Sequence, residues 1–456
     1  MSVEEIVANQ RKFFNTHKTK DINYRIEKLK KLKEKIKEYE PAICEALKHD
    51  LGKSSTESYM AEIGMVLEDL SYIIKNVKSW SKKQYKVSPI AQFPSTSFRI
   101  PEPYGLVLVM SPWNYPFLLT MQPVVGAICA GNCVVIKPSR YSVYTANIIK
   151  KIIEEVFEPE YATLITGGSD IQQALLNSNF DYIFYTGSAR VGKIVMEAAA
   201  KNLTPVTLEL GGKSPVIVDQ NSDVDLAAKR VVFGKLLNAG QTCVAPDYVF
   251  VHKKVKNKFV ESIKKWITQF LGERPLENDE YPKMANEKQF NRIAQLIDTC
   301  DILFGGKSDK EKSKIELTIV DNKDINSPVM QEEIFGPILP IIEYTNMDEV
   351  VKYINEHNKP LALYLFTNDK KVQKRFLKDV SFGGGCINDT IIHLATSKLG
   401  FGGVGYSGMG DYHGKYSFEA FSHYKSIVKK ANWLDLPMRY HPYKKINDKI
   451  IKMVMK

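Results

Sequence analysis

The sequence predicts an α/β protein in which strands and helices alternate along most of the chain. Short apolar runs of strand length, such as Leu106–Met110 and Leu361–Phe366, are separated by segments in which apolar residues recur every three or four positions. Because these runs are almost continuously apolar, we expect parallel sheets that are covered on both faces. A chain of 456 residues is too long for one ordinary core, which favours two or three domains.

The first 80 residues are predicted to be helical and to precede the sheets. Apolar residues from Ile22 to Ile36 recur at helical spacing, Pro41 begins a second helix, and a third helix runs from Ser55 to Trp80. Residues 86–103 then contain four prolines and some alternation of apolar and polar residues. This pattern indicates an extended arm or an edge hairpin rather than core.

Strand and helix patterns alternate from residue 104 onward. Helices are expected at 124–130, 142–157, 170–177 and 190–201, and they separate the strand segments GLVLVMSP, NCVVIKPS, ATLITGG and DYIFYTG. A second α/β region covers residues 210 to 395 and contains the strand segments PVIVD, DYVFVH and LALYLF. The tail from Phe401 is first rich in glycine and then aromatic and basic.

Charge and cysteine content restrict the classes of function. The net charge of +11 arises in the terminal segments, and it is typical of solvated helix faces or of a surface that meets anionic lipid. No nucleic-acid recognition motif accompanies the charge, so we expect no nucleic-acid partner. Six scattered cysteines without a CxxC pair predict neither a disulfide framework nor a metal site, and they favour a cytoplasmic location. Neither a secretory signal nor an apolar run of the ~20 residues that span a membrane is found.

Two residues that lie 34 positions apart carry the strongest chemical signal. Cys243 ends the segment NAGQTC, and Glu209 begins the segment ELGGKSP. A thiolate attacks electrophilic carbon, and a carboxylate can activate the water that later releases the product. Asn114, in SPWNYP, follows a strand, and its side-chain amide can donate to a developing oxyanion or simply cap a turn.

Two further segments join a strand to a helix. In YTGSARVG, Gly187 and Gly192 bracket the turn and Ser188 lies between them, which suits a phosphate at a helix start but also a tight turn without a ligand. In VVIKPSR, Lys137 can bind a ribose and Arg140 can face a phosphate, although a charged loop has the same pattern.

These segments together resemble the aldehyde dehydrogenase superfamily. SPWNYP, VVIKPS, FYTGSARVG, LELGGKSP, NAGQTC and QEEIFGP occur in the order and at the spacing of that family, over more than 220 residues. The length and the C-terminal sequence are most similar to the class 3 branch, which typically forms dimers and oxidises fatty and aromatic aldehydes. The resemblance implies the aldehyde dehydrogenase-like fold, with a Rossmann-type cofactor domain (1–83 and 104–208), an α/β catalytic domain (209–398), a small β oligomerisation arm (84–103 and 399–432) and a basic tail (433–456).

The resemblance also implies a role for each motif. Cys243 matches the nucleophile, Glu209 the general base, and Asn114 the oxyanion donor that works with the backbone N–H of Cys243. Lys137 matches a ribose-binding lysine, and Glu333 and Phe335 match the groups that hold the nicotinamide ribose and ring. The full set of residues expected at the NAD or NADP site is Trp113, Lys137, Arg140, Gly187, Ser188, Gly192, Glu333 and Phe335.

The implied reaction is the oxidation of a small-molecule aldehyde, medium- or long-chain or aromatic, to its carboxylic acid. Cys243 adds to the carbonyl, a hydride passes to the nicotinamide, and Glu209 activates the water that hydrolyses the thioester. In acylating relatives coenzyme A takes the acyl group and this glutamate is often replaced, so Glu209 favours hydrolysis. A non-catalytic scaffold or membrane-surface protein is the alternative of another class, and the presence of both Cys243 and Glu209 argues against it.

One position departs from the family pattern. Many members have a glutamate where this chain has Arg140, and that carboxylate accepts hydrogen bonds from the adenosine ribose. An arginine cannot accept them, and it attracts a 2′-phosphate. We therefore expect NADP to bind at least as well as NAD.

The C-terminal segment INDKIIKMVMK predicts a basic amphipathic helix. Apolar residues recur at helical spacing beside lysines, and these are Ile446, Ile450, Met453 and Val454 with Lys444, Lys445, Lys449 and Lys452. Such a helix can lie peripherally on anionic lipid, here the inner face of the membrane, or dock on a partner subunit of the expected homodimer.

Overall fold

A computed structural model describes residues 2–443 and 445–455 of the chain, and helices alternate with strands as the sequence predicts. The strands are β1 (Gln84–Lys86), β2 (Ser95–Pro103), β3 (Leu106–Met110), β4 (Cys133–Lys137), β5 (Ala162–Leu164), β6 (Tyr182–Thr186), β7 (Val206–Glu209), β8 (Pro215–Val218), β9 (Tyr248–His252), β10 (Ile302–Phe304), β11 (Ser308–Asp309), β12 (Lys314–Ile315), β13 (Thr318–Asp321), β14 (Ile338–Tyr344), β15 (Ala362–Phe366), β16 (Gly384–Ile387), β17 (Gly408–Met409) and β18 (Ser422–Lys430). The α-helices are α1 (Val3–Asn15), α2 (Ile22–Glu38), α3 (Glu40–Leu51), α4 (Ser55–Ser58), α5 (Gly64–Trp80), α6 (Leu118–Ala130), α7 (Val143–Val156), α8 (Ser169–Asn177), α9 (Ala189–Ala200), α10 (Val224–Leu236), α11 (Lys256–Leu271), α12 (Glu287–Ile297), α13 (Pro328–Gln331), α14 (Met347–Glu356), α15 (Lys370–Asp379), α16 (Gly414–Ala420) and α17 (Lys445–Val454).

The first sheet contains the four strands predicted between residues 104 and 187. Its order is β17-β7-β6-β3-β4-β5, and all neighbours are parallel except β17, which runs antiparallel to β7. Every residue of β3, β4 and β6 is buried, which accounts for their uninterrupted apolar sequences. Helices α2, α3 and α5, predicted from the N-terminal periodicity, pack around α6 and α7 on this sheet.

The second sheet contains the strands predicted at PVIVD, DYVFVH and LALYLF, which are β8, β9 and β15. Its order is β10-β13-β14-β9-β8-β15-β16, and only the β10–β13 pair is antiparallel. The strands β10, β13, β14 and β16 have no counterpart among the strands expected from the sequence. A separate apolar cluster, which includes Phe290, Ile338 and Phe376, covers part of this sheet.

The proline-containing segment forms an antiparallel arm, as predicted. Strand β2 pairs with β1 on one side and, along its whole length from Ser95 to Pro103, with β18 on the other. The arm exposes large apolar side chains, including Tyr85, Val87 and Val428. The domain boundaries stated above stay a prediction.

The carboxyl ends of four parallel strands bring the sequence motifs to one edge of the first sheet. Met110 at the end of β3 is in register with Lys137 at the end of β4, and Thr186 at the end of β6 pairs with Glu209 at the end of β7. Ligands of open α/β sheets bind outside these ends. Within the described residues, no helix is long and apolar enough to cross a membrane.

Candidate active site

A cavity of about 630 Å³ lies at this edge and collects most of the residues that the sequence singled out. Eight of them contribute to its wall: Trp113, Asn114, Gly187, Ser188, Glu209, Cys243, Glu333 and Phe335. They come from loops that follow strands of the first sheet, from the turn before Cys243 and from the loop after α13. The fold thus joins motifs that are more than 200 residues apart in the chain.

Cys243 follows a tight turn with an unusual backbone. Asn238, Ala239 and Gly240 have φ values of 50°, 50° and 74°, in the left-handed region. A Cβ atom on Gly240 would lie 2.5 Å from the carbonyl oxygen of Gly336, so only glycine allows the turn to approach the FGP segment this closely. Strained backbone of this kind concentrates at functional sites.

The environment of the Cys243 thiol disfavours the thiolate. Burial is the largest cause that raises its pKa above the usual value, and the carboxyl groups of Glu333 and Glu209 add to the effect. The thiol therefore needs a change in its surroundings, or a base, before it reacts rapidly at neutral pH.

Asn114 is 3% exposed and lies against the turn that precedes Cys243. The side-chain Nδ2 of Asn114 donates to the backbone carbonyl oxygen of Gln241 at 3.0 Å. The backbone carbonyl oxygen of Asn114 accepts from the side-chain Nδ2 of Asn238 at 2.7 Å. An amide nitrogen carries two N–H donors, so one remains for an oxygen atom in the cavity.

Glu209 ends β7 and is 2% exposed. Neither of its carboxyl oxygens has a hydrogen-bond partner among the described residues. Burial raises its pKa well above the usual value, and the charge of Asp411 acts in the same direction. A buried carboxyl without partners is uncommon and costly, and it is typical of a group that acts on a ligand or on water.

A second carboxyl group in the cavity wall belongs to Glu333. Burial, assisted by Asp247, raises the pKa of Glu333 to about 8. Its Oε1 has no partner within the described ranges, and a Cβ on Gly211 would lie 2.0 Å from its Oε2. Next to it, Phe335 meets Trp113 edge to face, with ring centroids 5.4 Å apart.

The turn before α9 has the form expected of a phosphate-binding segment. Ser188 is the N-cap of α9 and accepts from the backbone N–H of Val191 at 3.4 Å. A Cβ on Gly187 would lie 2.2 Å from the hydroxyl oxygen of Tyr185, so a side chain there would collide with this ring. Gly192 lies away from the cavity wall, where it allows α9 to pack against Leu210.

Lys137 and Arg140 share the sheet edge but do not contribute to the wall of this cavity. Lys137 is buried at the end of β4, and its Nζ donates to the carbonyl oxygen of Pro138 at 3.0 Å. Burial, followed by the positive charge of Arg140, lowers the pKa of Lys137. Arg140 is exposed, and its Nη2 donates to the hydroxyl of Tyr141 at 3.1 Å.

A smaller cavity of about 170 Å³ reaches Cys243 from another direction. Its wall is almost entirely apolar and includes Met60, Met65, Phe233, Leu237, Ile391 and Leu394. The two cavities share Leu119, Cys243, Phe401 and Tyr412. The thiol therefore lies at the junction of a large cavity with a mixed polar and apolar wall and a small cavity that is almost entirely apolar.

The known proteins to which this chain is similar identify its family. The model of the aldehyde dehydrogenase family matches residues 1–427. The chain belongs to this family. It is 47% identical over 444 residues to the 4,4′-diaponeurosporen-aldehyde dehydrogenase of Staphylococcus aureus, with 97% of each chain covered. It is 44% identical to the dimeric NADP-preferring aldehyde dehydrogenase of Rattus norvegicus, over 94% of this chain and 95% of the relative. A solved structure, the substrate-bound state of Staphylococcus aureus AldH, superposes with a TM-score of 0.98 at 46% identity and 100% coverage of both chains.

As an aldehyde dehydrogenase, the chain is an oxidoreductase that acts on aldehydes with NAD or NADP. The large cavity fits a dinucleotide. Buried oxygens of Thr186 and Glu333, which have no hydrogen-bond partner among the described residues, can accept from ribose and amide groups. Glu333 and the Trp113–Phe335 pair would hold the nicotinamide half, and Gly187 and Ser188 the pyrophosphate.

Several charged residues in or near the large cavity were not singled out from the sequence. Arg190 and Arg292 contribute to the wall of the large cavity, as does Lys213, which forms an ion pair with Asp247. Lys235, on α10, is 1% exposed, and within the described part of the chain its Nζ has no hydrogen-bond partner. The only sequence signal for Lys235 is its place eight residues before Cys243, which periodicity alone does not distinguish from a surface lysine.

His393 does not contribute to the wall of either cavity. Its neighbours Ile392 and Leu394 contribute to the apolar wall, whereas His393 itself packs between Tyr364 and Phe401, with its Nδ1 3.6 Å from Sγ of Cys386. Burial lowers the pKa of His393 to about 4, which keeps the imidazole neutral.

Proposed function

We propose that this aldehyde dehydrogenase oxidises hydrophobic aldehydes to carboxylic acids, with Cys243 as the nucleophile and Glu209 as the base of hydrolysis. The observation that carries the proposal is the position of Cys243 at the junction of the two cavities. An aldehyde whose apolar part occupies the small cavity presents its carbonyl carbon to Sγ of Cys243, while the large cavity accommodates NAD or NADP.

Each residue of the site contributes one task. The Cys243 thiol first loses its proton to solvent, and the thiolate sulfur then adds to the carbonyl carbon as the C=O π bond breaks. The oxygen that becomes negative accepts from the Asn114 amide and from the backbone N–H of Cys243. When bound, NAD or NADP supplies the oxidant that accepts a hydride from the addition product. Glu209 then takes a proton from water as the water attacks the thioester carbon, which frees the acid and regenerates the thiol.

The substrate class is inferred from the walls of the small cavity. Met60, Met65 and Phe233 offer apolar contacts and no donor for a hydroxylated chain, which supports medium- or long-chain aliphatic and aromatic aldehydes. The Staphylococcus aureus relative, named for 4,4′-diaponeurosporen-aldehyde, agrees with an apolar substrate.

The substrate class is tested by initial rates over an aldehyde panel. We expect kcat/KM to rise from acetaldehyde to decanal by about 10-fold or more, since each buried CH₂ contributes about 0.8 kcal/mol. A hydroxylated aldehyde of matched length serves as the control. A panel in which acetaldehyde or the hydroxylated compound is preferred would contradict the assignment.

The cofactor preference belongs to the same proposal. Arg140 carries a positive charge at the edge of the first sheet, beside Lys137, and a 2′-phosphate is the group that such a pair attracts. The name of the rat relative, NADP-preferring, agrees with this direction. NADP is therefore proposed to serve at least as well as NAD.

Assembly and location are proposed from surface features. The apolar side chains exposed on the β1–β2–β18 arm support a homodimer, which light scattering after gel filtration tests. Contact of the basic tail with anionic lipid is supported by the exposed Met453 and Lys452 of α17; Lys444, part of the same prediction, lies outside the described residues. Equal co-sedimentation with anionic liposomes of the full chain and of a form truncated at Leu434 would count against it.

A further inference from the structure

A fully buried ion pair lies behind the loop that carries Asn114. Lys53 and Glu62 are both 0% exposed, and Nζ of Lys53 lies 2.6 Å from Oε1 of Glu62. Two charges removed from water are costly unless their geometry is good and their other hydrogen-bonding sites are filled. The remaining contacts of the pair therefore show what it holds in place.

Those contacts all lead to the segment from Asn114 to Leu118. Nζ of Lys53 donates to the carbonyl oxygen of Asn114 at 3.2 Å and lies 3.8 Å from the centroid of the Tyr115 ring. Oε2 of Glu62 accepts from the backbone N–H groups of Phe117 and Leu118, at 2.9 and 3.1 Å. Glu62 thus stabilises the start of α6, and Lys53 holds the backbone carbonyl of Asn114 in place.

A second donor reaches the same carbonyl oxygen from the turn before Cys243. Nδ2 of Asn238 donates to the carbonyl oxygen of Asn114 at 2.7 Å and to that of Gln241 at 3.2 Å. The backbone N–H of Asn238 in turn donates to the Glu57 carboxylate at 2.8 Å. One carbonyl oxygen therefore ties the Asn114 loop to the N-terminal helices through Lys53 and to the nucleophile turn through Asn238.

We propose that Lys53, held by Glu62, and Asn238 are positioning residues of the reaction: they fix the Asn114 carbonyl and thereby aim the Asn114 side-chain amide at the oxyanion that forms at Cys243. This inference rests on the proposed function, in which Asn114 stabilises that oxyanion. Oxyanion donors act only from a narrow range of positions, and a displacement near 1 Å can cost about 100-fold in rate.

The test is a double-mutant cycle on kcat/KM with decanal and NADP. Asn114→Ala is expected to lose about 100- to 1,000-fold. Lys53→Met is expected to lose about 10- to 100-fold in the wild-type background and less than 3-fold more in the Asn114→Ala background, because there is no amide left to aim. Lys256→Met removes a lysine that pairs with Asp321 at 2.9 Å on the second sheet, and it is expected to leave kcat/KM within about 2-fold.

A cofactor-free measurement separates positioning from general damage. Alkylation of Cys243 by iodoacetamide needs no oxyanion donor, so its rate in Lys53→Met is expected to stay within about 2-fold of wild type. If Lys53→Met does not fold, Asn238→Gly decides the question: glycine keeps the left-handed backbone at this position while it removes the other donor. Asn238→Gly is then combined with Asn114→Ala in the same double-mutant cycle on kcat/KM.

The outcomes are distinct. Losses that multiply fully in the Lys53→Met and Asn114→Ala double variant overturn the positioning role, as does a Lys53→Met or Asn238→Gly enzyme with wild-type kcat/KM. A parallel loss of alkylation rate also overturns it, since the nucleophile turn would then be disturbed. An Asn114→Ala enzyme with full activity sinks the oxyanion assignment of the proposed function itself, which is a different failure.

Discussion

Replacement of Glu209 by Gln separates the two halves of the reaction. The substitution keeps the volume of the side chain and removes only its ability to act as a base. Because neither carboxyl oxygen has a hydrogen-bond partner among the described residues, it breaks no hydrogen bond within the fold, and we expect little change in the unfolding temperature.

The size of the effect follows from the chemistry assigned to the residue. A positioned general base contributes about 10²- to 10⁴-fold, so steady-state turnover should fall by that factor, or about 3 to 5 kcal/mol in activation free energy. The burst of reduced cofactor, which precedes hydrolysis, should remain close to one equivalent per subunit. In wild type, moreover, burial raises the pKa of Glu209, so turnover should increase with pH as the carboxylate forms, and this dependence should vanish in the variant.

The assay is stopped-flow absorbance of the reduced nicotinamide, followed by the steady-state rate in the same trace. Asp411→Asn provides a control, since it changes a neighbouring charge but leaves the base in place. Equal loss of burst and turnover in Glu209→Gln would refute the assignment of Glu209 to hydrolysis. Added coenzyme A that restores turnover in the variant would show that an acyl-enzyme had accumulated.

Three further predictions follow from the charges at the site. Arg140→Glu should lower the ratio of kcat/KM for NADP to that for NAD by about 10-fold or more, and an unchanged ratio means that Arg140 does not face the 2′-phosphate. Burial lowers the pKa of Lys235 from 10.5 to about 8 in the folded protein. Between these two pH values Lys235 is therefore protonated in the unfolded chain and largely neutral in the folded one. The free energy of unfolding of wild type should therefore rise by about 2 kcal/mol between pH 8 and 10 relative to Lys235→Met in urea titrations, and parallel curves would contradict this. The pKa of Cys243 is raised, so its alkylation rate in the cofactor-free protein should still be rising above pH 9, whereas a plateau near neutral pH would exclude the buried thiol environment.

Of the sheet strands that the sequence predicted, all but β5 are completely buried. LVLVM and CVVIK have no exposed residue, so composition alone marks them as strands. Strand β18 lies in the segment 399–432 that the resemblance assigned to the β arm, but its own sequence does not mark it as a strand, because five of its residues are exposed and it contains four lysines or histidines. Its pairing with β2, over 300 residues earlier, makes it a strand. Helix α1 was not singled out by apolar periodicity, although the capping box formed by Ser2 and Glu5 marks its start.

Some residues of the site can be recognised from short sequence motifs, whereas others depend on contacts between distant parts of the chain. Cys243, Glu209 and Asn114 could be proposed from motifs because their chemistry and order are carried by short segments. The Lys53–Glu62 pair could not be proposed from the sequence. The segment around Lys53, GKSSTES, has the composition of an exposed loop, and nothing local marks this lysine as buried. The π-helical turn Tyr59–Ile63, which contains Glu62, is likewise set by packing rather than by a sequence signal.

If the aldehyde occupies the small cavity and the cofactor the large one, as proposed above, the difference between the two cavity walls at Cys243 keeps the two ligands apart. In the large cavity, oxygens of Thr186, Glu209 and Glu333 have no hydrogen-bond partner within the described part of the chain, and they would stay unpaired against an alkyl chain, at a cost of about 1 to 3 kcal/mol each. In the small cavity, the almost entirely apolar wall offers little to replace the water around a pyrophosphate. In the proposed reaction, the cost of desolvation therefore excludes each ligand from the other's cavity, so that only the aldehyde carbon and the reactive end of the cofactor would meet at the Cys243 sulfur.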